Sequence, residues 1–205
     1  MNRIWVGIVT LCASGGVSLG VLNPVGPFVG QVREPLNFSN TNISADQPIF
    51  GGAGHLISHN GQTLIHLLLG DTLSGDTVSP HTGMYILGWT EGPGIFTFSP
   101  PVQMFGAYWN NNSGANDATV QFFDAGNSLI GTQTATIPAP GNTWVWNGWA
   151  SSTPISRISV LGNGVLNGFL WTDDLEASYV PGPGALALAV LGSPLLMRRQ
   201  RTARM

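Results

Sequence analysis

The 205-residue sequence contains no lysine, a single cysteine, and few charged residues of any kind, which make up 8% of the chain. The cysteine is Cys12, close to the amino terminus. One cysteine cannot form an internal disulfide framework, and it cannot supply the several thiolates that a zinc-thiolate site requires. The fold must therefore be stabilised without covalent cross-links within the chain.

Basic residues are also scarce between positions 21 and 179, where Arg33 and Arg157 stand against all ten acidic residues of the chain. This stretch is strongly acidic. Nucleic acid is a poor partner for it, because contacts to phosphate depend on lysine and arginine. An acidic surface rich in Asn, Ser, Thr and Gly suits extracellular solvent, cations and neutral polymers better.

The amino end has the order of a secretory signal peptide. Met1–Arg3 form a short basic region, Ile4–Leu11 are mostly apolar, and small residues dominate from Ala13 to Gly20. We predict a signal helix within residues 1–20 and cleavage between Gly15 and Gly20. Cleavage there removes Cys12, so the mature chain has no cysteine nucleophile.

The carboxyl end, residues 180–205, has three parts. Val180, Pro181, Gly182 and Pro183 interrupt any strand or helix, a mostly apolar run covers Ala185–Met197, and arginines follow at 198, 199, 201 and 204. The run is about 13 residues, or roughly 20 Å as a helix, whereas a bilayer core needs about 20 residues. The arginines favour the cytoplasm, which leaves the preceding residues outside. We predict a short hydrophobic helix that anchors the chain transiently.

This arrangement resembles the PEP-CTERM sorting signal of Gram-negative and related bacteria. The matching residues are Val180, Pro181, Pro183, the run Ala185–Met197, and the arginines Arg198, Arg199 and Arg201. Gly182 stands where the family most often has glutamate. The resemblance implies export to the cell envelope, the surface or the extracellular matrix. It also implies an exosortase partner at the membrane that removes the tail and, in many carriers, association with exopolysaccharide.

Residues 21–179 have the period of two that is typical of strands, and almost no helix signals. A hairpin is predicted where Leu56–His59 and Gln62–Leu69 flank Asn60-Gly61, and another where Asp124–Asn127 separates two strands. Further strands are predicted at 84–89, 95–98, 102–109, 143–149, 155–161 and 168–179. The fold class is therefore all-β, an antiparallel β-sandwich of jelly-roll type. The segment Val21–Glu34 is either a loose arm or an edge strand through Phe28–Val32.

Several segments of this core are similar to the β-sandwich ectodomains that precede PEP-CTERM tails. They are Ile95–Val102, Phe105–Trp109, Val120–Asn127, Pro154–Ile158 and Asp173–Leu175. Trp171–Leu175 also looks like the last strand of jelly-roll carbohydrate-binding modules. Ectodomains of this kind mostly have no assigned activity.

The adjacent carboxylates of Asp173 and Asp174 are the clearest candidate for a binding or metal site in the core. Adjacent residues of a strand face opposite sides, so one carboxylate should point inward or towards the first strand. Burying a bare charge costs several kcal/mol, so that carboxylate needs a partner. Arg157 or neighbouring hydrogen-bond donors would serve, and so would a structural Ca²⁺ completed by Glu34 or Asn37. Plain exposure of both carboxylates is the remaining alternative.

The tryptophans allow a ligand hypothesis, because flat aromatic rings stack on sugar faces. Trp144 and Trp146 share a strand face, and Trp149 follows closely. Filling of the core is the alternative for each ring. Trp109 precedes a polar loop and is the strongest candidate for exposure. We therefore predict Trp109, Trp146 and Trp149 as ligand-binding residues.

Two classes of function remain. The first is an exported, non-catalytic surface or matrix protein that is associated with exopolysaccharide. The second is a module that binds carbohydrate, with Ca²⁺ as cofactor, or one that cleaves it. No catalytic residue is predicted, because nothing in the sequence selects a pair among the carboxylates. His55 and His59 are too far apart on a strand to bind one metal ion.

Overall fold

The computed structural model describes residues 20–37, 42–59, 64–70, 79–89, 92–111, 117–137, 143–163 and 169–180. Nearly all residues of the predicted signal peptide and of the predicted sorting signal lie outside these ranges. Among the described residues there is no helix long and apolar enough to cross a membrane.

The described part of the chain is almost entirely antiparallel β-structure. Its strands are β1 (Leu22–Val25), β2 (Val32–Glu34), β3 (Asn42–Ser44), β4 (Asp46–Ile49), β5 (Gly54–Ser58), β6 (Leu64–Leu68), β7 (Tyr85–Trp89), β8 (Gly94–Asn110), β9 (Ala118–Phe123), β10 (Leu129–Ala135), β11 (Val145–Gly162) and β12 (Leu170–Tyr179). A short 3-10 turn, Phe50–Gly52, connects β4 to β5. The predicted all-β fold class is confirmed.

Two long strands, β8 and β11, run through both layers of the sandwich. In a straight strand, Phe96 and Phe105 would lie about 30 Å apart. Their ring centroids are instead 5.0 Å apart, so β8 bends back over the core between them. The bend falls at Pro100 and Pro101, where proline cannot donate a ladder hydrogen bond. The sequence predicted two separate strands here, Ile95–Phe98 and Val102–Trp109, whereas β8 is one strand.

The pairing defines two sheets. In the first sheet the strand order is β1, the amino-terminal half of β11, the carboxyl-terminal half of β8, β12, β7, β6 and β3. β2 also pairs with β12. In the second, the order is β10, β9, the other half of β11, the other half of β8, β5 and β4. Aromatic side chains fill the space between the sheets, among them the fully buried Trp89, Phe96, Trp109 and Phe122.

One predicted hairpin is confirmed and the other is wrong. β9 and β10 pair through the turn at Asp124–Asn127, where Asn127 has a positive φ of 61°. By contrast, β5 pairs with β4 and β8, whereas β6 pairs with β3 and β7. The strands on either side of Asn60-Gly61 therefore belong to different sheets. A turn motif in the local sequence cannot predict which strands pair, because the choice of partner depends on strands far away in sequence.

The amino-terminal segment is not a loose arm. β1 pairs with the edge of β11 that faces away from β8. β2 pairs with the edge of β12 that faces away from β8. Residues 26–31, here called the crossover segment, therefore cross the outer face of β11, β8 and β12. This crossing spans about 19 Å. It covers the outer face of the first sheet, where the candidate site lies.

Candidate functional site

The strand β12 is buried on both of its faces, which is unusual for a strand that carries three acidic residues. Leu170 to Ala177 are all buried. Leu175 and Ala177 belong to the main core, whereas Trp171 packs with Ile86 and Phe169 in a second cluster on the outer face. The carboxylates of Asp173, Asp174 and Glu176 are contacted by Gly30 of the crossover segment, by Arg33 of β2, and by His81 and Thr82. Each one consequently needs partners within the protein.

The two aspartates lie on the same side of the strand, contrary to the sequence-based expectation of opposite sides. Asp174 has a positive φ of 47°, and the register between β12 and β8 shifts between Asp173 and Glu176. This irregularity interrupts the alternation of side chains. Both carboxylates are therefore turned towards His81 and Thr82.

Asp173 is fully buried and accepts hydrogen bonds from backbone groups. Its Oδ2 accepts from the amide of His81 at 2.8 Å and from that of Thr82 at 3.1 Å, while its Oδ1 accepts from the amide of Asp174 at 2.7 Å. Burial raises the pKa of Asp173 from 3.8 to about 6, and these backbone hydrogen bonds limit the rise. Asp173 thus anchors the loop at 81–82 to β12.

Asp174 has the opposite electrostatic balance. Its Oδ1 receives the guanidinium of Arg33 at 2.6 Å and the hydroxyl of Thr82 at 2.7 Å, and its Oδ2 lies 2.7 Å from Nδ1 of His81. Burial would raise the pKa of Asp174, but the hydrogen bonds from His81, Thr82 and Arg33 together lower it. The hydrogen bond to Asp174 and its charge in turn raise the pKa of Arg33.

Glu176 completes the acidic group. Its Oε1 lies 3.4 Å from Nε of Arg33, and its Oε2 accepts a hydrogen bond from the amide of Gly30 at 2.8 Å. Arg33 therefore bridges two carboxylates of β12 from the neighbouring strand β2. The guanidinium of Arg33 thus links β2 to the last strand, β12.

The sequence-based proposal that Arg157 is the partner of the aspartates is wrong. Arg157 lies on the second sheet, where its guanidinium carbon is 3.6 Å from the ring centroid of Phe123. Its Nε donates to Oδ1 of Asn127 at 3.0 Å. Arg33, which precedes the predicted calcium ligand Glu34, takes the position next to the aspartates.

In this arrangement the predicted calcium ligands accept hydrogen bonds or lie at the surface, and the calcium site stays a prediction. The carboxylate of Glu34 accepts the amides of Leu36 at 3.2 Å and Phe50 at 2.8 Å. Asn37 is exposed at the surface. The oxygens of Asp173 and Asp174 already accept N–H and O–H donors, and Ca²⁺ would have to displace them. Within the described ranges, no group of three or more His, Cys, Asp or Glu side chains could hold a metal ion.

Two of the three predicted ligand-binding tryptophans are core residues. Trp109 is 0% exposed and Trp149 is 2% exposed, so neither can offer a ring face to a ligand. Trp109 packs edge-on against Trp89 and Phe96. The polar loop that follows it misled the prediction, because neighbouring residues of a strand face opposite sides. Tyr108, one residue earlier, lies on the outer face instead.

Trp146 does lie on the outer face, within a row of five rings that we call the outer aromatic row: Phe28, Trp146, Tyr108, His81 and Trp144. The ring of Trp146 packs edge-on against Tyr108 at 5.4 Å and against Phe28 at 5.5 Å. His81 stacks on Tyr108 at 3.6 Å between centroids, and Trp144 lies 6.4 Å from His81. All five side chains are partly accessible.

The position of Trp146 depends on two glycines beneath it. A Cβ at Gly106 would lie 2.3 Å from Cζ2 of Trp146, and one at Gly148 would lie 2.8 Å from its Nε1. The indole can therefore rest on the backbone of β8 and β11. Its N–H donates to the carbonyl of Val25 at 3.0 Å, which ties it to the start of the crossover segment. The indole N–H of Trp144 similarly donates to the carbonyl of Ser79 at 2.8 Å.

The aromatic row and the acidic group are parts of one arrangement. Trp146, Tyr108 and Asp173 stand opposite one another on the adjacent strands β11, β8 and β12. His81 joins them, because its ring covers Tyr108 while its Nδ1 contacts Asp174. Sequence reasoning missed His81, Arg33 and Tyr108. The residue types alone carried no signal, since all three lie far from Asp173 in sequence.

The predicted sorting residues lie almost entirely beyond the described ranges. Val180 is the last described residue, and its amide is 3.5 Å from the carbonyl of Pro101. Pro181, Gly182, Pro183, Arg198, Arg199 and Arg201 lie outside the described residues. The prediction of a sorting signal therefore stays a prediction.

No protein-family model and no curated protein matches the chain. Among solved structures, a DUF4465 family protein from Bacteroides caccae is 10% identical, with a TM-score of 0.42 over 82% of this chain and 97% of its own. The CBM22-1 xylan-binding domain of Xyn10C from Paenibacillus barcinonensis is 12% identical, with a TM-score of 0.42 over 76% of this chain and 99% of its own.

A third similar structure is the arabinose-bound α-L-arabinofuranosidase MgGH51, at 14% identity and a TM-score of 0.40. It matches 67% of this chain, and the matched part spans 25% of that enzyme. Because these TM-scores lie below 0.5, the similarity does not assign a ligand or an activity to this chain.

The two arginines of the sandwich give a matched test of the acidic group. Replacing Arg33 with alanine leaves Asp174 and Glu176 covered without their shared cation. We expect a loss of roughly 1–3 kcal/mol in unfolding free energy, below the value for a fully buried pair because the guanidinium is half exposed. Arg157→Ala should cost about 1 kcal/mol or less. Urea denaturation measures both, and a larger cost for Arg157→Ala would contradict the assignment of Arg33.

The raised pKa of Asp173 predicts a specific dependence of stability on pH. The folded state keeps the Asp173 proton to about pH 6, whereas the unfolded chain releases it near 3.8. The unfolding free energy should therefore fall as pH rises from about 4 to about 6, by about 1–3 kcal/mol. Asp174, with its lowered pKa, contributes stability that is lost as pH falls below its ordinary value.

Urea denaturation between pH 3 and pH 7 tests this profile. Asp173→Asn should abolish the fall between about pH 4 and pH 6. Asp46→Asn, which removes an exposed carboxylate on β4 that contacts His55, should retain it. A profile that is flat in the unmodified protein, or unchanged by Asp173→Asn, would contradict the assignment.

Proposed function

We propose that this chain is an exported, non-catalytic β-sandwich that binds neutral polysaccharide through its outer aromatic row. The observation that carries the proposal is the row itself, in which Trp146, Tyr108, His81 and Trp144 lie partly accessible on one sheet face. Aromatic rings offer flat apolar surfaces that can pack against the C–H faces of sugar rings. Partly exposed rings that are already packed in place lose little conformational entropy when a ligand binds.

The acidic charge of the sandwich favours a neutral ligand over an acidic one. Residues 21–179 contain two arginines and ten acidic residues. Arg33 already contacts Asp174 and Glu176, and Arg157 lies over Phe123. A polyanion would meet net repulsion, because opposite charge at a surface is what attracts such ligands.

The two aspartates do not support a hydrolase. Adjacent carboxylates with pKa values pushed apart are typical of acid–base pairs. Asp173, however, is 0% exposed, and both of its oxygens accept backbone amides. A general acid has to come within hydrogen-bond reach of its substrate. These residues hold the loop at 81–82 and the crossover segment in place, and the rings of the aromatic row would make the contact to sugar.

The cellular part of the proposal comes from the two chain ends. A signal peptide in residues 1–20 would direct export, and the PEP-CTERM-like tail in residues 180–205 would place the chain at the membrane for an exosortase. Removal of the tail would also remove Arg198, Arg199, Arg201 and Arg204. The product is a strongly acidic sandwich at the cell surface or in a polysaccharide matrix.

Binding is tested by calorimetric titration of the purified protein with xylan, mixed-linkage glucan and alginate. We expect binding to at least one neutral glucan or xylan and none to the anionic alginate. Trp146→Ala should weaken that binding roughly tenfold or more, because residues at the centre of a contact surface contribute most of the binding free energy. Phe123→Ala removes a partly exposed ring from the other sheet and serves as the matched control.

Two results would overturn the binding proposal. One is the absence of binding across a wider glycan array. The other is equal weakening by Trp146→Ala and Phe123→Ala. Thermal unfolding of both variants separates loss of the site from loss of the fold, and Trp146→Phe, which keeps a ring, should retain part of the affinity.

Export and processing are tested separately, in a Gram-negative host that contains an exosortase. Intact mass measurement of the exported protein should show an amino terminus between residues 16 and 21 and loss of the residues that follow the Pro181–Pro183 motif. Replacing Arg198, Arg199 and Arg201 with glutamine should leave the tail uncleaved. Recovery of the full-length chain from the cytoplasm would contradict the predicted route.

A further inference from the structure

The edge strands of the sandwich differ in how well they are protected against pairing with another strand. An exposed edge presents unpaired N–H and C=O groups, and proteins protect it with proline, charge or a short length. Four described edge strands have such protection. β1 contains Pro24, β2 contains Arg33 and Glu34, β3 has three residues, and β4 contains Asp46 and Pro48.

β10, at the edge of the second sheet, has none of these features. It is seven residues long, Leu129–Ala135, and contains neither a charged residue nor a proline. Within the described part of the chain it hydrogen-bonds as a strand to β9 alone. Leu22 lies against Gly131 at one end of β10. The amide of Thr136 donates to Oδ1 of Asn147 just beyond the other end. The open stretch is therefore Thr132–Ala135.

We propose that β10 is an association surface, and that its partner is β10 of a second copy of this chain. Two identical strands that meet antiparallel form a closed two-fold contact, the commonest symmetry of soluble homo-oligomers. With the two-fold axis at Gln133, Thr132 lies opposite Thr134 of the second copy. Both threonines are exposed, and threonine pairs across antiparallel strands are favourable.

The charge distribution points to the same surface. Residues 21–179 are strongly acidic, so two copies repel each other over most of their surfaces. β10 is uncharged along its whole length. The strand itself therefore adds no like-charge repulsion between two copies, although Asp124 and Asp117 lie near its two ends. The contact leaves the outer aromatic row free, because that row lies on the first sheet and β10 belongs to the second.

Sedimentation velocity over a range of protein concentrations tests the proposal. We expect a monomer–dimer equilibrium for the unmodified protein. Thr132→Glu together with Thr134→Glu places like charges opposite one another and should raise the dimer dissociation constant roughly tenfold. Ala125→Glu together with Leu161→Glu adds the same charge at exposed positions off the edge and should leave the constant unchanged. Circular dichroism checks that both double variants are folded.

Disulfide trapping gives a second readout that does not depend on affinity. In a Cys12→Ser background, Gln133→Cys should form a covalent dimer under an added oxidant, because residues opposite each other across strands lie within reach of a disulfide. Leu161→Cys, exposed on β11, should not. A protein that is monomeric at every soluble concentration would overturn the proposal, and so would a dimer unaffected by the paired glutamates.

Discussion

The requirement to satisfy the carboxylates of β12 shapes the whole outer face of the first sheet. Asp173, Asp174 and Glu176 lie on a strand that is covered on both sides. A buried carboxylate without partners would cost several kcal/mol, so the surrounding chain has to supply donors. Arg33 supplies charge from β2, and residues 81–82 supply two backbone amides, a hydroxyl and an imidazole. The crossover segment and the loop at 81–82 are thereby fastened to the last strand of the sandwich.

The acidic group and the aromatic row depend on each other through His81. Its amide and its ring both bind the aspartates, and the same ring stacks on Tyr108. On the far side of the row, the hydrogen bond from Trp146 to Val25 and the contact between Trp146 and Phe28 hold the crossover segment. The rings are thus set in place before any ligand arrives. The guanidinium of Arg33 supplies a positive charge between β2 and β12, next to Asp174 and Glu176.

Features set by contiguous residues could be predicted from the sequence, whereas pairing between distant strands could not. The hairpin between β9 and β10 was predictable, because the Asp124–Asn127 turn and its two strands are contiguous. The hairpin at Asn60-Gly61 was predicted on equally good local grounds, but β5 and β6 belong to different sheets. Trp109 was assigned to the surface from the polar loop that follows it, whereas the alternation of side chains along β8 places it on the core face. In the failed hairpin, the partner of each strand was decided by residues far away in the chain.

The sequence by itself determined the fold class, the acidic and cysteine-free character of the sandwich, and the need of Asp173 and Asp174 for partners. These follow from composition and from the period of two, which are properties of neighbouring residues. Tertiary structure alone decided that Arg33 rather than Arg157 meets the aspartates, because β2 pairs with β12 while Arg157 lies on the other sheet. It also decided which rings face outward, since side-chain alternation assigns faces only once bends and register shifts are known.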